Sequence, residues 1–192
     1  MMPKLLFFSG STRQDSLNQK LLNLAVTIAQ DLGAEVTPIN LKDFSMPIFN
    51  GDDEVAYGLP ENAKKLKVIF AKHDGLFIAS PEHNRSIPAL LKNTLDWISR
   101  TEAKDEKPLA AFKDKVVALG SVSPGMLGGL HGLIQLRMML TYIGVNVIPA
   151  QTTIISGLQA FDSNGMLKNA RQLETLKRTV TDLVITTSKL AC

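Results

Sequence analysis

The residues best suited by type and spacing to hold an anion lie near the start of the chain, in the stretch GSTRQDSLN, Gly10 to Asn18. Ser11, Thr12, Ser16 and Asn18 offer short hydrogen-bonding groups, and Arg13 carries a rigid fork of N–H donors. The stretch follows the apolar run KLLFF and precedes a helical pattern, so the free N–H groups of a helix start join the set. The dipole of such a start favours an anion by about 0.3–1 kcal/mol, and each charge-assisted hydrogen bond adds about 1.5–3 kcal/mol. These groups describe a phosphate cradle. Neither Gly-x-x-x-x-Gly-Lys-Ser/Thr nor Gly-x-Gly-x-x-Gly occurs in this crossover, so a terminal monophosphate fits better than a bridging pyrophosphate. A loop of this composition also serves as a plain helix cap, with Ser16 at the N-cap.

Two further loops carry compatible groups. SPEHNRSIPALLKNTLDWIS, Ser80 to Ser99, is stiffened by Pro81 and Pro88 and presents Glu82, His83, Asn84 and Ser86. GSVSPGMLGGLHG, Gly120 to Gly132, contributes Gly125, Gly128 and Gly129, which permit close backbone approach to something flat. A phosphate at one end and a planar, polar-edged group at the other suggest flavin mononucleotide (FMN).

At these residues the sequence resembles the NADPH-dependent FMN reductase family, a group that includes chromate, quinone and azo-dye reductases. The family pattern Gly-Ser-x-Arg-x-x-Ser-x-Asn appears as Gly10, Ser11, Arg13, Ser16 and Asn18. Its Pro-Glu-Tyr-Asn-x-Ser and Leu-Lys-Asn-x-x-Asp-Trp appear as Pro81, Glu82, His83, Asn84 and Ser86, then Leu91, Lys92, Asn93, Asp96 and Trp97. The resemblance implies that Ser11, Arg13, Ser16, Leu17 and Asn18 hold the FMN phosphate. It implies that Pro81, Glu82, His83 and Asn84 line the ribityl and isoalloxazine portion. Ser121 and the 124–129 loop, with Gly125 and Gly128, would approach the pyrimidine side.

One departure stands out: His83 occupies the place of the family's tyrosine, and an imidazole is smaller than a phenol and titrates near neutral pH. The resemblance also implies an NAD(P)H-dependent oxidoreductase, with NADPH or NADH as donor, in which the flavin and no side chain carries the chemistry. The expected cycle is ping-pong. A nicotinamide stacks on the exposed ring and delivers hydride, then a quinone, flavin, azo compound or metal oxyanion such as chromate takes its place. Backbone N–H groups of the 81–84 and 124–129 loops would stabilise charge on the reduced ring. Two rival readings share the phosphate loop: a non-catalytic, flavodoxin-type electron carrier and a flavin-free protein that binds another phosphate ligand.

Positioning these loops requires a regular frame. Apolar runs at 4–8, 35–39, 75–80, 115–121 and 145–149 lack clean alternation, as strands covered on both faces do. Helical patterns lie between them at 17–32, 61–72, 88–100 and about 129–144, with a last one at about 168–189. The order predicts an α/β fold: a flavodoxin-like, doubly wound, five-stranded parallel sheet, order 2-1-3-4-5, with helices on both faces. Residues 41–60 read as one long irregular loop, with Asp52, Asp53 and Glu54 in a solvated turn.

Composition sets the outer bounds. The 192 residues, 45% hydrophobic and 20% charged, suit a single domain spanning 1–192. A net charge of +3 without a basic stripe argues against nucleic acid, and three histidines with one cysteine, Cys192, against a metal site. The short apolar run at the start is no leader or membrane span, which suggests a cytoplasmic protein without membrane partners. The partner expected is a small-molecule electron acceptor. The helix near 129–144 is apolar on more than one face, which suggests a homodimer or homotetramer. His73 reads as a cap or surface residue, His131 as facing the site or a partner, Trp97 and Asp96 as packing their helix on the sheet, and Cys192 as a mobile thiol.

Overall fold

The computed structural model describes residues 2–190. Strands β1 (Lys4–Ser9), β2 (Glu35–Asn40), β3 (Gly75–Ala79), β4 (Val116–Val122) and β5 (Asn146–Ile154) form one parallel sheet in the order β2-β1-β3-β4-β5. This is the flavodoxin-like order expected from the sequence. Helices α1 (Leu17–Asp31), α2 (Gly51–Tyr57), α3 (Glu61–Ala71), α4 (Ala89–Ile98), α5 (Leu130–Tyr142), α6 (Gly157–Ala160) and α7 (Ala170–Leu190) complete the chain.

The missing alternation in β1 has a direct cause. Leu5 and Phe7 point to the layer made with α1 and α7, beside Leu21, Leu22, Leu176 and Leu183. Leu6 and Phe8 point to the other layer, beside Leu66 and Phe70 of α3, Leu91 of α4 and Leu136 of α5. All four are fully buried, and each such side chain stabilises the fold by about 1.5–3 kcal/mol.

Several sequence expectations need correction. Strand β5 runs past Pro149 to Ile154 because Ile148 to Ala150 stand opposite the single residue Ala118, a bulge on an edge strand where proline is tolerated. Arg137 of α5 covers that irregularity, donating to Ile148 O at 2.8 Å and Gln151 Oε1 at 3.0 Å. Residues 41–60 are not wholly irregular: a 3₁₀ turn (Leu41–Asp43) and α2 lie within them. Asn50 caps α2, and Asp52, Asp53 and Glu54 form its first turn, where the helix dipole favours acids.

Trp97 packs against this segment and not against the sheet: its Nε1 donates to Pro47 O at 2.8 Å and its ring meets Phe49 edge-on. Asp96 faces outward and pairs with Lys92 at 2.7 Å. His73 is buried, with Nδ1 2.7 Å from Ile69 O and Nε2 2.8 Å from Thr37 Oγ1, so it caps α3 from within. Cys192 lies outside the described residues. Among the described residues no helix is long and apolar enough to cross a membrane, and no three His, Cys, Asp or Glu side chains gather as a metal site.

The segment leading into β4 is anchored by a buried ammonium. Lys67 Nζ donates to Glu106 Oε2 at 2.7 Å and to Arg100 O at 2.5 Å, and Glu102 N–H donates to the same carboxylate. Burial opposes ionisation of Glu106, yet the Glu102 N–H and the Lys67 ammonium outweigh it and hold its pKa below the usual glutamate range. A lowered folded-state pKa stabilises the fold above the unfolded value, and this stabilisation is lost as pH falls through the folded value. Glu106→Gln is therefore expected to cost about 1–3 kcal/mol at pH 7. The gap to the parent should close as pH drops below about 4. Urea unfolding of both proteins along that range checks it, and a gap independent of pH would refute it.

Candidate cofactor and active site

Strands β1, β3 and β4 end nearly level, with Ser9 opposite Ala79 and Ala79 opposite Gly120. The crossover from β1 leads to β2 and that from β3 to β4, so the two diverge and a crevice opens at their strand ends. There the loops beginning at Gly10, Ser80 and Ser123 wall a cavity of about 530 Å³. Its lining includes Ser11, Thr12, Arg13, Ser16, Leu17, Asn18, Pro81, Glu82 and His83. Eight of the twelve residues expected from the sequence meet there; Asn84, Ser121, Gly125 and Gly128 do not line it.

The first loop gathers hydrogen-bond donors that could seat an anion. Ser16 is the N-cap of α1, its Oγ accepting from Gln19 N–H at 3.3 Å. The N–H groups of Leu17 and Asn18, in the first turn, have no acceptor within the helix. Ser9 Oγ accepts from Ser11 N–H and Ser11 Oγ from Arg13 N–H, curling the backbone. The Arg13 guanidinium folds back to Asp15 O at 2.8 Å and stays exposed over the loop. Gly10 is required because a Cβ there would press on Leu91 and on Pro81 of the second loop, all at 3.3 Å.

Two of the residues expected at the ligand, both lining the cavity, also clamp the loops. Asn18 is buried, and its amide is spent on the backbone of Val122: Nδ2 donates to Val122 O at 3.0 Å while Val122 N–H donates to Oδ1 at 2.9 Å. It fixes the first loop to the end of β4. Glu82 Oε2 accepts from Gly132 N–H at 2.8 Å, so its carboxylate caps the start of α5, where the dipole favours it. His131 Nδ1 stands 4.0 Å from the other oxygen, which puts this histidine on the site side of α5. The third loop is thereby tied to both of the others.

The remaining expected residues hold backbone in place. Asn84 lies in a tight turn closed by His83 N–H to Ser86 O at 3.0 Å and Ser86 N–H to His83 O at 2.9 Å. Ser121 is fully buried under Gly129, where a Cβ would fall 1.9 Å from its Oγ, and that hydroxyl has no hydrogen-bond partner among the described residues. Gly128, at φ +58, approaches the backbone of Ile154 to 2.9 Å at the Cβ position. Gly125 N–H is turned inward to Ser123 Oγ at 3.2 Å. The N–H groups of His83, Gly125 and Gly128 are thus engaged within the chain, and charge on a bound ring must be met by other donors. Sequence reasoning missed Leu158 of α6, which lines the cavity because Gly157 settles against Val122 and Leu17. Only its place after the last strand could have signalled it.

FMN fits this donor set. The hydroxyls, N–H groups and guanidinium at the α1 end suit a phosphate, and Pro81, His83, Pro124 and Leu158 form a less polar wall for a flat ring. The profile of the family described as NADPH-dependent FMN reductase matches residues 3–159. The chain belongs to that family. A similar curated relative is the NAD(P)H-dependent FMN reductase of Pseudomonas aeruginosa, 31% identical over 180 residues, 91% of this chain and 90% of the relative. The quinone reductase of Pseudomonas putida is 30% identical over 162 residues, 83% of this chain and 82% of the relative. Among solved structures, the flavoenzyme NAD(P)H:(acceptor) oxidoreductase FerB from Paracoccus denitrificans superposes with a TM-score of 0.81 at 25% identity, covering 98% of each chain. The reductase is thus an oxidoreductase that uses FMN and a reduced nicotinamide nucleotide.

In this reductase Asn18→Ala strands the N–H and C=O of Val122, each unsatisfied group costing about 1–3 kcal/mol. Expected are a lower melting temperature and an FMN dissociation constant raised about tenfold or more, read by quenching of flavin fluorescence. An unchanged constant would mean that the clamp does not shape the seat.

Proposed function

We propose that the reductase takes hydride from NADPH or NADH and delivers electrons to quinones, donor and acceptor using the same opening in turn. The observation that carries this reading is a cavity with an anion seat at one end and a less polar wall at the other. Ser11, Arg13, Ser16 and the N–H groups of Leu17 and Asn18 hold the FMN phosphate. Pro81, His83, Pro124 and Leu158 orient the ring, with Glu82 and Asn18 keeping the loops in register. The redox chemistry there, hydride in and electrons out, is what FMN supplies when bound. The protein's part is to present one face at near-contact distance, about 3–3.5 Å.

Quinones are favoured because several relatives are named for them, from the Pseudomonas putida enzyme to the NADPH:quinone oxidoreductase of Arabidopsis thaliana. Free flavins, azo compounds and metal oxyanions such as chromate are further acceptors that an open site admits. A homodimer or homotetramer is supported by α5, which buries Leu133, Leu136 and Leu140 but leaves Ile134, Met138 and Tyr142 exposed at 53%, 70% and 91%. Such an uncovered face suits a second copy of the chain.

The deciding experiment is an anaerobic titration of the FMN-loaded protein with NADPH or NADH, followed by a benzoquinone. Rapid bleaching of the flavin band, reversed by the quinone, is expected, with parallel double-reciprocal plots in steady state. A bound flavin that stays oxidised would instead establish the electron-carrier reading. Failure to bind FMN would leave a protein for some other phosphate ligand.

A further inference from the structure

The tight turn at the cavity wall carries an unexplained arginine. Its two central residues, Asn84 and Arg85, lie in the left-handed region at φ 51° and 61°. Asparagine tolerates that region, but the second position of such a turn strongly favours glycine, and a residue with a Cβ is strained there. The strain is held by α5: Gln135 Nε2 donates to Arg85 O at 2.9 Å, and Ser86 Oγ donates to Gln135 Oε1 at 2.7 Å. The backbone of the tip is thus gripped while the Arg85 side chain is exposed, with no hydrogen-bond or ion-pair partner for its guanidinium among the described residues.

The neighbouring cations are committed elsewhere. Arg13 sits at the α1 end of the cavity and is tied to Asp15 O. Lys92 is taken by Asp96 at 2.7 Å. Arg85 follows the wall residues Glu82 and His83 by two or three positions without itself lining the cavity, so it is a free permanent cation beside that wall among the described residues. A guanidinium fork matches a phosphate in a two-point contact, which neither a hydroxyl nor a screened surface lysine reproduces.

We propose that Arg85 is the specificity-determining residue for the nicotinamide donor: it binds the 2′-phosphate of NADPH and sets the preference for NADPH over NADH. The inference rests on the site being an NAD(P)H site. It explains why the tip keeps a strained arginine where glycine would relax it.

The test is Arg85→Gly, which removes the fork and relieves the left-handed strain, beside Arg85→Lys, which keeps the charge without the fork. In Arg85→Gly, kcat/KM for NADPH should fall about tenfold or more, the scale of one charge-assisted contact, with NADH within about twofold. Calorimetric binding of adenosine 2′,5′-bisphosphate to the FMN-loaded protein should weaken in parallel while that of AMP holds. Arg85→Lys should fall between parent and glycine variant. The melting temperature of Arg85→Gly should equal or exceed the parent's. Equal changes for both nucleotides, or none for either, would overturn the proposal. If neither nucleotide reduces the loaded parent, the reading of the site as NAD(P)H-dependent fails instead, and equal binding of bisphosphate and AMP in the parent would reject Arg85 separately.

Discussion

The crossover leaving β1 runs towards one edge of the sheet and the crossover leaving β3 towards the other, so no helix covers the strand ends between them. That divergence forces a crevice before any side chain is chosen. What the sequence adds is a way to keep the crevice narrow. The loops that wall it leave from strands in fixed register, but register alone does not hold the loops against one another. Asn18 and Glu82 do so, one by pairing with the backbone of Val122 and the other by capping α5 at Gly132.

The clamps work because their setting is nearly dry. Asn18 is buried, and a buried amide left unpaired costs more than its hydrogen bonds return in water; the arrangement is therefore close to all-or-none. Glu82 gains from the partial positive charge at the start of α5. Small residues then allow close approach: Gly129 lies against the Ser121 side chain, Gly128 against the Ile154 backbone and Gly157 against the Val122 side chain. The closeness has one visible cost, the hydroxyl of Ser121 beneath Gly129, without a hydrogen-bond partner among the described residues, a group whose burial costs about 1–3 kcal/mol.

Legibility in the sequence followed the range of the interactions. The sheet order, the helices and the cap at the start of α1 arise from local pattern: apolar runs, and Ser16 just before a helix start. These were readable, as was the cavity lining at Ser11, Arg13, Ser16, Leu17, Pro81 and His83. The roles of Asn18 and Glu82 were not, because their partners lie 104 and 50 residues away, and a polar residue in a binding motif reads as a ligand contact by default. Trp97 misled for a similar reason. Its helix face pointed to the sheet in the pattern, but Pro47 and Phe49 reach it from a segment that looked structureless. Strand β5 was cut short because proline normally ends a strand, whereas the bulge and Arg137 let it continue.

A consequence concerns how such a site changes. Its polar residues divide into those that hold structure and those that face the opening. Glu82 and Asn18 belong to the first group, and substituting them disturbs all the loops at once. His83, exposed at the wall in a turn whose backbone bonds to itself, belongs to the second. Exchanging a phenol for an imidazole there alters ring size and polarity without touching any clamp. The turn's shape is set by its own backbone hydrogen bonds and by Gln135, so the residues displayed on it can vary without disturbing the first loop. Changes at the mouth of the crevice are thereby separated from changes at its root.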